Sequence, residues 1–209
     1  MSTTLSPLAT AFLAADQIGK PGGAMNSLRA PVKDVRINFG DLCARMLAYT
    51  LICLADDGAI EMSSTDRKSL FGTKKQVTIQ KKRESTQVGG ADALLAAVRD
   101  GKTAHDAVYT WLGADSLSPW QRIVKSAFKE ASDAGLLAAE SGGGVGAMVT
   151  GLPKIRPVSE KQAEIDAIVS ACAQRWKRFE SESADFAAQL VKECYSGING
   201  RVDKSSMAT

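Results

Sequence analysis

"NFGDLCARMLAYTLICLADDGAIEM", Asn38 to Met62, decides the reading of the chain. Leu42, Met46, Tyr49 and the run Leu51 to Leu54 spread apolar residues around most of a helix, the density of a buried core helix. The pattern breaks at Asp56-Asp57-Gly58, where Gly58 suits a helix C-terminal end, and Ala59 to Met62 resumes as a short strand. Beyond the polar tip "SSTDRKSLFGTKK", Gln76-Val77-Thr78-Ile79-Gln80 alternates as a returning strand. Helix, strand, hairpin tip, strand is the back half of a winged-helix unit.

Working outward, "SPWQRIVKSAFKEASDAGLLAAE" repeats the plan, with Ser118 as N-cap and Pro119 at the first helical position. Gly135 ends that helix, Leu136 and Leu137 start a strand, and "SGGGVGAMVTG" supplies a tip and a return. Between the two units, "GADALLAAVRDG" and "TAHDAVYTWLGA" read as short helices, the second capped by Thr103. Upstream, "TLSPLATAFLAADQIGKPGGAM" is a short helix carrying Leu8, Phe12 and Leu13, stopped by "GKPGG" and followed by a loop to about Arg36. From about Ser159, Ile165, Cys172, Phe179 and Phe186 recur every seven residues, with Ile168, Val169, Trp176 and Leu190 filling the stripe. This segment is a core-packing helix broken once near Glu180, and 201–209 is a disordered tail. The fold class is mainly α: one compact helical domain over 1–200 with two short winged-helix-like β-hairpins.

The 209 residues are 44% apolar and 23% charged, ordinary for a globular protein, and the formal net charge is +3. An electrostatic partner must therefore be read from local patches. The excess gathers at Arg67 and Lys68 and in "GTKKQVTIQKKRES", Gly72 to Ser85, whose Lys74, Lys75, Lys81, Lys82 and Arg83 form a basic hairpin. Solvent, nucleic acid and anionic lipid all fit such an arm. Cys43, Cys53, Cys172 and Cys194 sit in apolar helical patterns without ligand spacing, as buried free thiols of a reducing compartment. No metal and no cofactor are expected. No apolar run reaches the ~18–20 residues of a membrane span. "SPLATAFLAAD" lacks a basic n-region, so no signal peptide is expected and the protein reads as cytoplasmic.

Catalytic signatures are sparse. "SGGGVG" is not followed by Lys-Ser/Thr and leads into a strand pattern. Asp56-Asp57 reads as a solvated turn, and His105 beside Asp106 has no nucleophile placed with it, so the chain is not read as an enzyme. The cations of the 118–134 helix are better organised. At 100° per residue, Arg122, Lys125 and Lys129 fall within roughly 60° of one another. Ile123, Val124, Ala127, Phe128 and Ala131 take the opposite side. That face is either a solvated helix back or an anion site, with Arg suited to bidentate phosphate contacts and Lys to a point charge.

Four stretches in this order are similar to the Golgi phosphoprotein-3 family: "CARMLAYTLICLADDGAIEM", "GADALLAAVRDGKTAHDAVYTWLGAD", "SPWQRIVKSAFKEASDAGLLAAE" and "RPVSEKQAEIDAIVSACAQRWKRF". They resemble the family's helix-then-strand, its pair of short helices with a late Trp-Leu, its basic helix running into a Gly-Leu strand start, and the helix that follows. Together they span about Phe39 to Phe179. The resemblance implies a helical protein with a pocket for the headgroup of phosphatidylinositol 4-phosphate. It also implies a hydrophobic hairpin on a membrane-facing or oligomeric surface. Arg122 and Lys125 match the spacing of the family's two cations on the basic helix. Phe39 and Arg45 are approximate stand-ins for its aromatic residue and arginine near the start of the first core helix, where the family's Trp is absent.

The reading is then a non-catalytic, peripherally membrane-associated adaptor. It binds a phosphoinositide or other anionic phospholipid through Arg122, Lys125, Lys129, Arg45 and Phe39, with the basic hairpin as a second contact. A protein cargo and a homo-oligomer are compatible with it. The alternatives are a winged-helix nucleic-acid binder, weakened by the apolar character of the helix before the first hairpin, and a protein–protein interaction domain.

Overall fold

Ser6 opens the first helix. Its hydroxyl accepts the Ala9 amide at 3.2 Å while Pro7 takes the first helical position. The computed structural model describes residues 4–23, 26–69, 72–113, 118–140 and 150–206. α1 (Pro7–Leu13) and α2 (Ala15–Ile18) lead to a small hairpin, β1 (Ser27–Arg29) paired with β2 (Arg36–Asn38), in the stretch read as a loop. Asn38 then caps α3 (Phe39–Asp56) by accepting the Asp41 amide at 2.9 Å. Every residue of α3 from Leu42 to Leu54 is buried, as its apolar density requires.

Gly58, in the left-handed region at φ 70°, turns the chain into β3 (Ile60–Ser69). β3 pairs antiparallel with β4 (Gly72–Lys81), from Ile60 opposite Lys81 to Ser69 opposite Gly72. The hairpin is thus a ten-residue ribbon, and the stretch read as a polar tip is mostly strand. Its outer half buries no face, so it carries no apolar alternation and is held by backbone pairing, while the inner half adds contacts such as the Ser63 hydroxyl to the Thr78 hydroxyl, 3.0 Å. α4 (Asp92–Ala97) follows, then β5 (Lys102–Thr103), which pairs with β4, and α5 (Ala104–Leu112), entered through a capping box between Thr103 and Asp106.

α6 (Pro119–Asp133) ends at Gly135, φ 71°, and feeds β6 (Leu137–Glu140). The returning strand is β7 (Lys154–Pro157), later than the sequence reading placed it, and "SGGGVG" lies outside the described residues. A single 3₁₀ turn (Ser159–Lys161) precedes α7 (Gln162–Glu182). The break falls at Ser183, with φ −160° and ψ 92°, and α8 runs over Ala184–Ser206. The helix does not end at Gly200: Arg201 Nε donates to the Tyr109 carbonyl at 2.6 Å, and its guanidinium lies 3.6 Å from the centre of the Tyr109 ring.

α1, α3, α5, α6, α7 and α8 enclose one core cluster extending from Leu8 to Ile198. Mainly helical architecture with small antiparallel hairpins is therefore the observed fold. All four cysteines are buried and free, and burial pushes their thiols up, Cys172 to about 12. Among the described residues no helix is long and apolar enough to cross a membrane.

Candidate functional site

The β3–β4 register brings Arg67 opposite Lys74, Asp66 opposite Lys75 and Lys68 opposite Thr73. Arg67, Lys68, Lys74 and Lys75 are all exposed, and none forms an ion pair among the described residues. With Asp66 they hold a charge of +3. Setting these four aside from 26 basic residues, and Asp66 from 23 acidic ones, leaves 22 of each, so this end of the ribbon holds the whole of the chain's formal +3.

The other cations of the predicted basic hairpin, at its base, are engaged. Lys81 pairs with Glu84 at 2.6 Å, Lys82 with Glu61 at 2.6 Å and Arg83 with Asp57 at 2.7 Å. Asp57 also accepts the Thr86 hydroxyl at 2.7 Å and the Gln87 amide at 3.4 Å. The Thr86 hydroxyl, then the Gln87 amide and Arg83, hold its carboxyl below the ordinary range. The Asp56-Asp57 turn is thus a clasp: Asp56 takes Arg175 and Arg178, each at 3.2 Å, and Asp57 takes the exit of the ribbon. The predicted five therefore divide into two free cations, Lys74 and Lys75, and three structural ones. Arg67 and Lys68 join the free pair only because β3 continues past Met62, which no periodicity announces.

The inner half of the ribbon is fixed to the body. Val77 and Ile79 are buried, Glu193 of α8 accepts the Val77 amide at 3.0 Å, and Gln189 Nε2 donates to the Lys75 carbonyl at 2.9 Å. The strand edge that β5 leaves open is thereby closed by side chains.

On α6, Ile123, Val124, Ala127 and Ala131 are buried and Phe128 is half-buried, while Arg122, Lys125 and Lys129 are exposed on the opposite face. Each is individually constrained. Arg122 Nη1 donates to the Leu112 carbonyl at 2.7 Å. Lys125 lies against Gly151, where a Cβ would come within 2.7 Å of its Nζ and 2.9 Å of the Gln121 carboxamide oxygen. Lys129 pairs with Asp133 at 2.6 Å, which raises its ammonium above the ordinary range.

The structure does not join Arg45 and Phe39 to that face. The Cys43 thiol meets the Trp120 carbonyl at 3.7 Å, so the Cys43 side of α3 faces α6. Arg45, two residues on, points about 160° away around the helix. It pairs with Asp41 at 2.8 Å and Glu180 at 3.2 Å, and stands 5.2 Å from the centre of the Trp176 ring. Phe39 is only 4% exposed and serves the core. A cleft of about 310 Å³ opens beside Arg45, lined by Lys20, Glu180, Ala184, Ala187 and Val191 among others, but the Arg45 guanidinium there is already matched by two carboxylates. An aromatic pair that sequence reasoning did not single out, Trp120 and the exposed Tyr195, lies with ring centres 5.0 Å apart. Gly40 makes room for it, since a Cβ there would sit 3.0 Å from the Tyr195 ring.

Among the described residues, no group of His, Cys, Asp and Glu is arranged to hold a metal ion. Compared with protein-family models, curated proteins and solved structures, the chain matches none.

Proposed function

We propose that this protein is a non-catalytic, peripheral binder of anionic lipid surfaces, and that the outer half of the β3–β4 ribbon is its electrostatic contact. One observation carries the reading: the cations that hold the chain's net charge stand exposed, without an ion pair among the described residues, at one end of a ribbon whose base cations are all neutralised. Cations near an anionic bilayer contribute about 1 kcal/mol each. Four of them reach only about 4 kcal/mol, a millimolar affinity, so a second contact is needed for stable association. The exposed α6 face supplies it, with Arg122 and Lys125 as headgroup ligands and Lys129 at its margin. The resemblance to the Golgi phosphoprotein-3 family makes a phosphatidylinositol 4-phosphate-like headgroup the first candidate, on a cytoplasmic membrane face.

Co-flotation with vesicles tests this. Neutral phosphatidylcholine vesicles are compared with vesicles containing phosphatidylglycerol or phosphatidylinositol 4-phosphate, at low and physiological salt. Flotation with both anionic compositions at low salt, retained at physiological salt only with the phosphoinositide, is the expected result. Absence of flotation with any anionic vesicle would remove the proposal, and stronger retention of duplex DNA than of vesicles would replace it with the nucleic-acid reading.

A further inference from the structure

The two faces of the ribbon are not equivalent. Successive strand residues point to opposite faces, and directly opposed residues share one. Asp66 with Lys75 and Lys68 with Thr73 therefore lie on the face that continues, at the base, into Met62 with Ile79 and Ser64 with Val77. Val77 and Ile79 are buried, so this is the side turned to the core. Its outer half carries two cations and one acid. Arg67 and Lys74 lie on the other side, with Thr65, Gln76, Ser63 and Thr78, and with no acid until Glu61, which Lys82 neutralises at 2.6 Å.

Directly opposed residues stand with Cβ atoms about 4.5–5.5 Å apart, and like charges there repel. Arg67 against Lys74 therefore loosens the ribbon, and a single phosphate group placed between the two side chains would relieve the repulsion while accepting hydrogen bonds from both. The ribbon's direction is also set in advance, because Gln189 and Glu193 hold the strand as far out as Lys75.

We propose that Arg67 and Lys74 form a phosphate-bridging pair and that their face, not the core-side face, lies against the phosphodiester groups of an anionic bilayer. This rests on the lipid reading above and adds an orientation to it. It also has a corollary that simple attraction to a negative surface lacks: at this pair, binding and ribbon stability oppose each other. Arg67→Glu gives Lys74 a cross-strand partner, tightening the ribbon while removing the site.

The test uses the intact chain and vesicles of phosphatidylcholine with phosphatidylglycerol, reading vesicle partition and, without vesicles, amide hydrogen exchange over 64–77. R67E and K74E are each expected to weaken partition about tenfold or more. Their ribbon exchange should slow about two- to fivefold, the cross-strand term expressed as an opening equilibrium. K68E and K75E, on the other face, should weaken partition about threefold or less. The double variant R67E/K74E restores a like-charge pair, so it should lose both partition and protection. Equal losses from both faces would overturn the orientation and leave the lipid reading standing. Faster exchange in both R67E and K74E would overturn the repulsion argument. A wild-type chain that does not partition at all would remove the lipid reading itself. Duplex DNA that protects the ribbon where vesicles do not would assign the pair to nucleic-acid phosphate and overturn the bilayer assignment.

Discussion

Glu193 is 7% exposed, and its two oxygens serve three donors: the Val77 amide and Gln189 Nε2 on one, the His105 amide at 3.4 Å on the other. A carboxylate this enclosed persists because the buried Val77 amide and the part-buried His105 amide would otherwise lose their acceptor. Glu193→Ala should cost about 1–3 kcal/mol for each orphaned amide, seen as a lower urea midpoint. Glu193→Gln, which keeps one accepting oxygen, should cost less. Asp57 makes the matching case for pH. Its carboxyl is held below the ordinary range by Thr86, Gln87 and Arg83, so its charged form is the one the fold prefers. The stabilisation is thus present above the ordinary carboxyl value and lost as pH falls through the lower folded value. The protection of the 82–88 amides, their exchange measured relative to the intrinsic rate at each pH, should fall on acidification through that range, and in Asp57→Asn should be low already at neutral pH, with a flatter profile. Buried thiols with raised pKa values are poor nucleophiles. Cys43, Cys53, Cys172 and Cys194 should therefore stay unreacted with Ellman's reagent in the native chain and react together in denaturant.

At the scale of elements, the seam between α5 and α8 depends on two glycines. A Cβ on Gly197 would lie 2.7 Å from the His105 carbonyl oxygen and 3.0 Å from the Val108 Cβ, and one on Gly200 would lie 3.3 Å from the Tyr109 ring. Gly197→Leu must push the helices apart and should cost about 1–3 kcal/mol or more, with a matching fall in the thermal midpoint. Elements with a long period or a strong cap were legible from sequence: α3 from its apolar density, α5 from its Thr103 cap, and α6 from the 100° arithmetic that placed Arg122, Lys125 and Lys129 together. β1 and β2 were not, because three-residue strands contain no period. The outer ribbon was missed for the opposite reason: it is long but buries nothing, so no hydrophobic pattern marks it. Arg45 was legible as a cation but not as a structural one, since its Glu180 partner lies 135 residues away. The close fit of Gly197 and Gly200 against α5 was not legible either, because no local pattern shows which helix will occupy the space their missing side chains leave.

Across the whole molecule, charge is separated rather than merely summed. Four cations and Asp66 at one end of a ribbon carry the net +3 while the rest of the chain balances. Replacing Arg67, Lys68, Lys74 and Lys75 with Gln takes the formal charge from +3 to −1. So does replacing Arg29, Lys154, Lys161 and Arg178, each of which is ion-paired. At equal net charge only the first variant should lose flotation with phosphatidylglycerol vesicles; equal losses would show that total charge, and not its placement, governs association.

The clasp that α8 makes on the ribbon also sets an order of events during synthesis. Val77 and His105 emerge from the ribosome long before Glu193, which lies 116 and 88 residues further along the chain. Until α8 has been translated, the nascent chain displays an open strand edge beside a strongly basic arm, a combination that invites pairing with other chains or adhesion to ribosomal RNA. The helix that finishes the fold is therefore also the one that ends this period of risk, and slow translation just upstream of it would prolong the exposure.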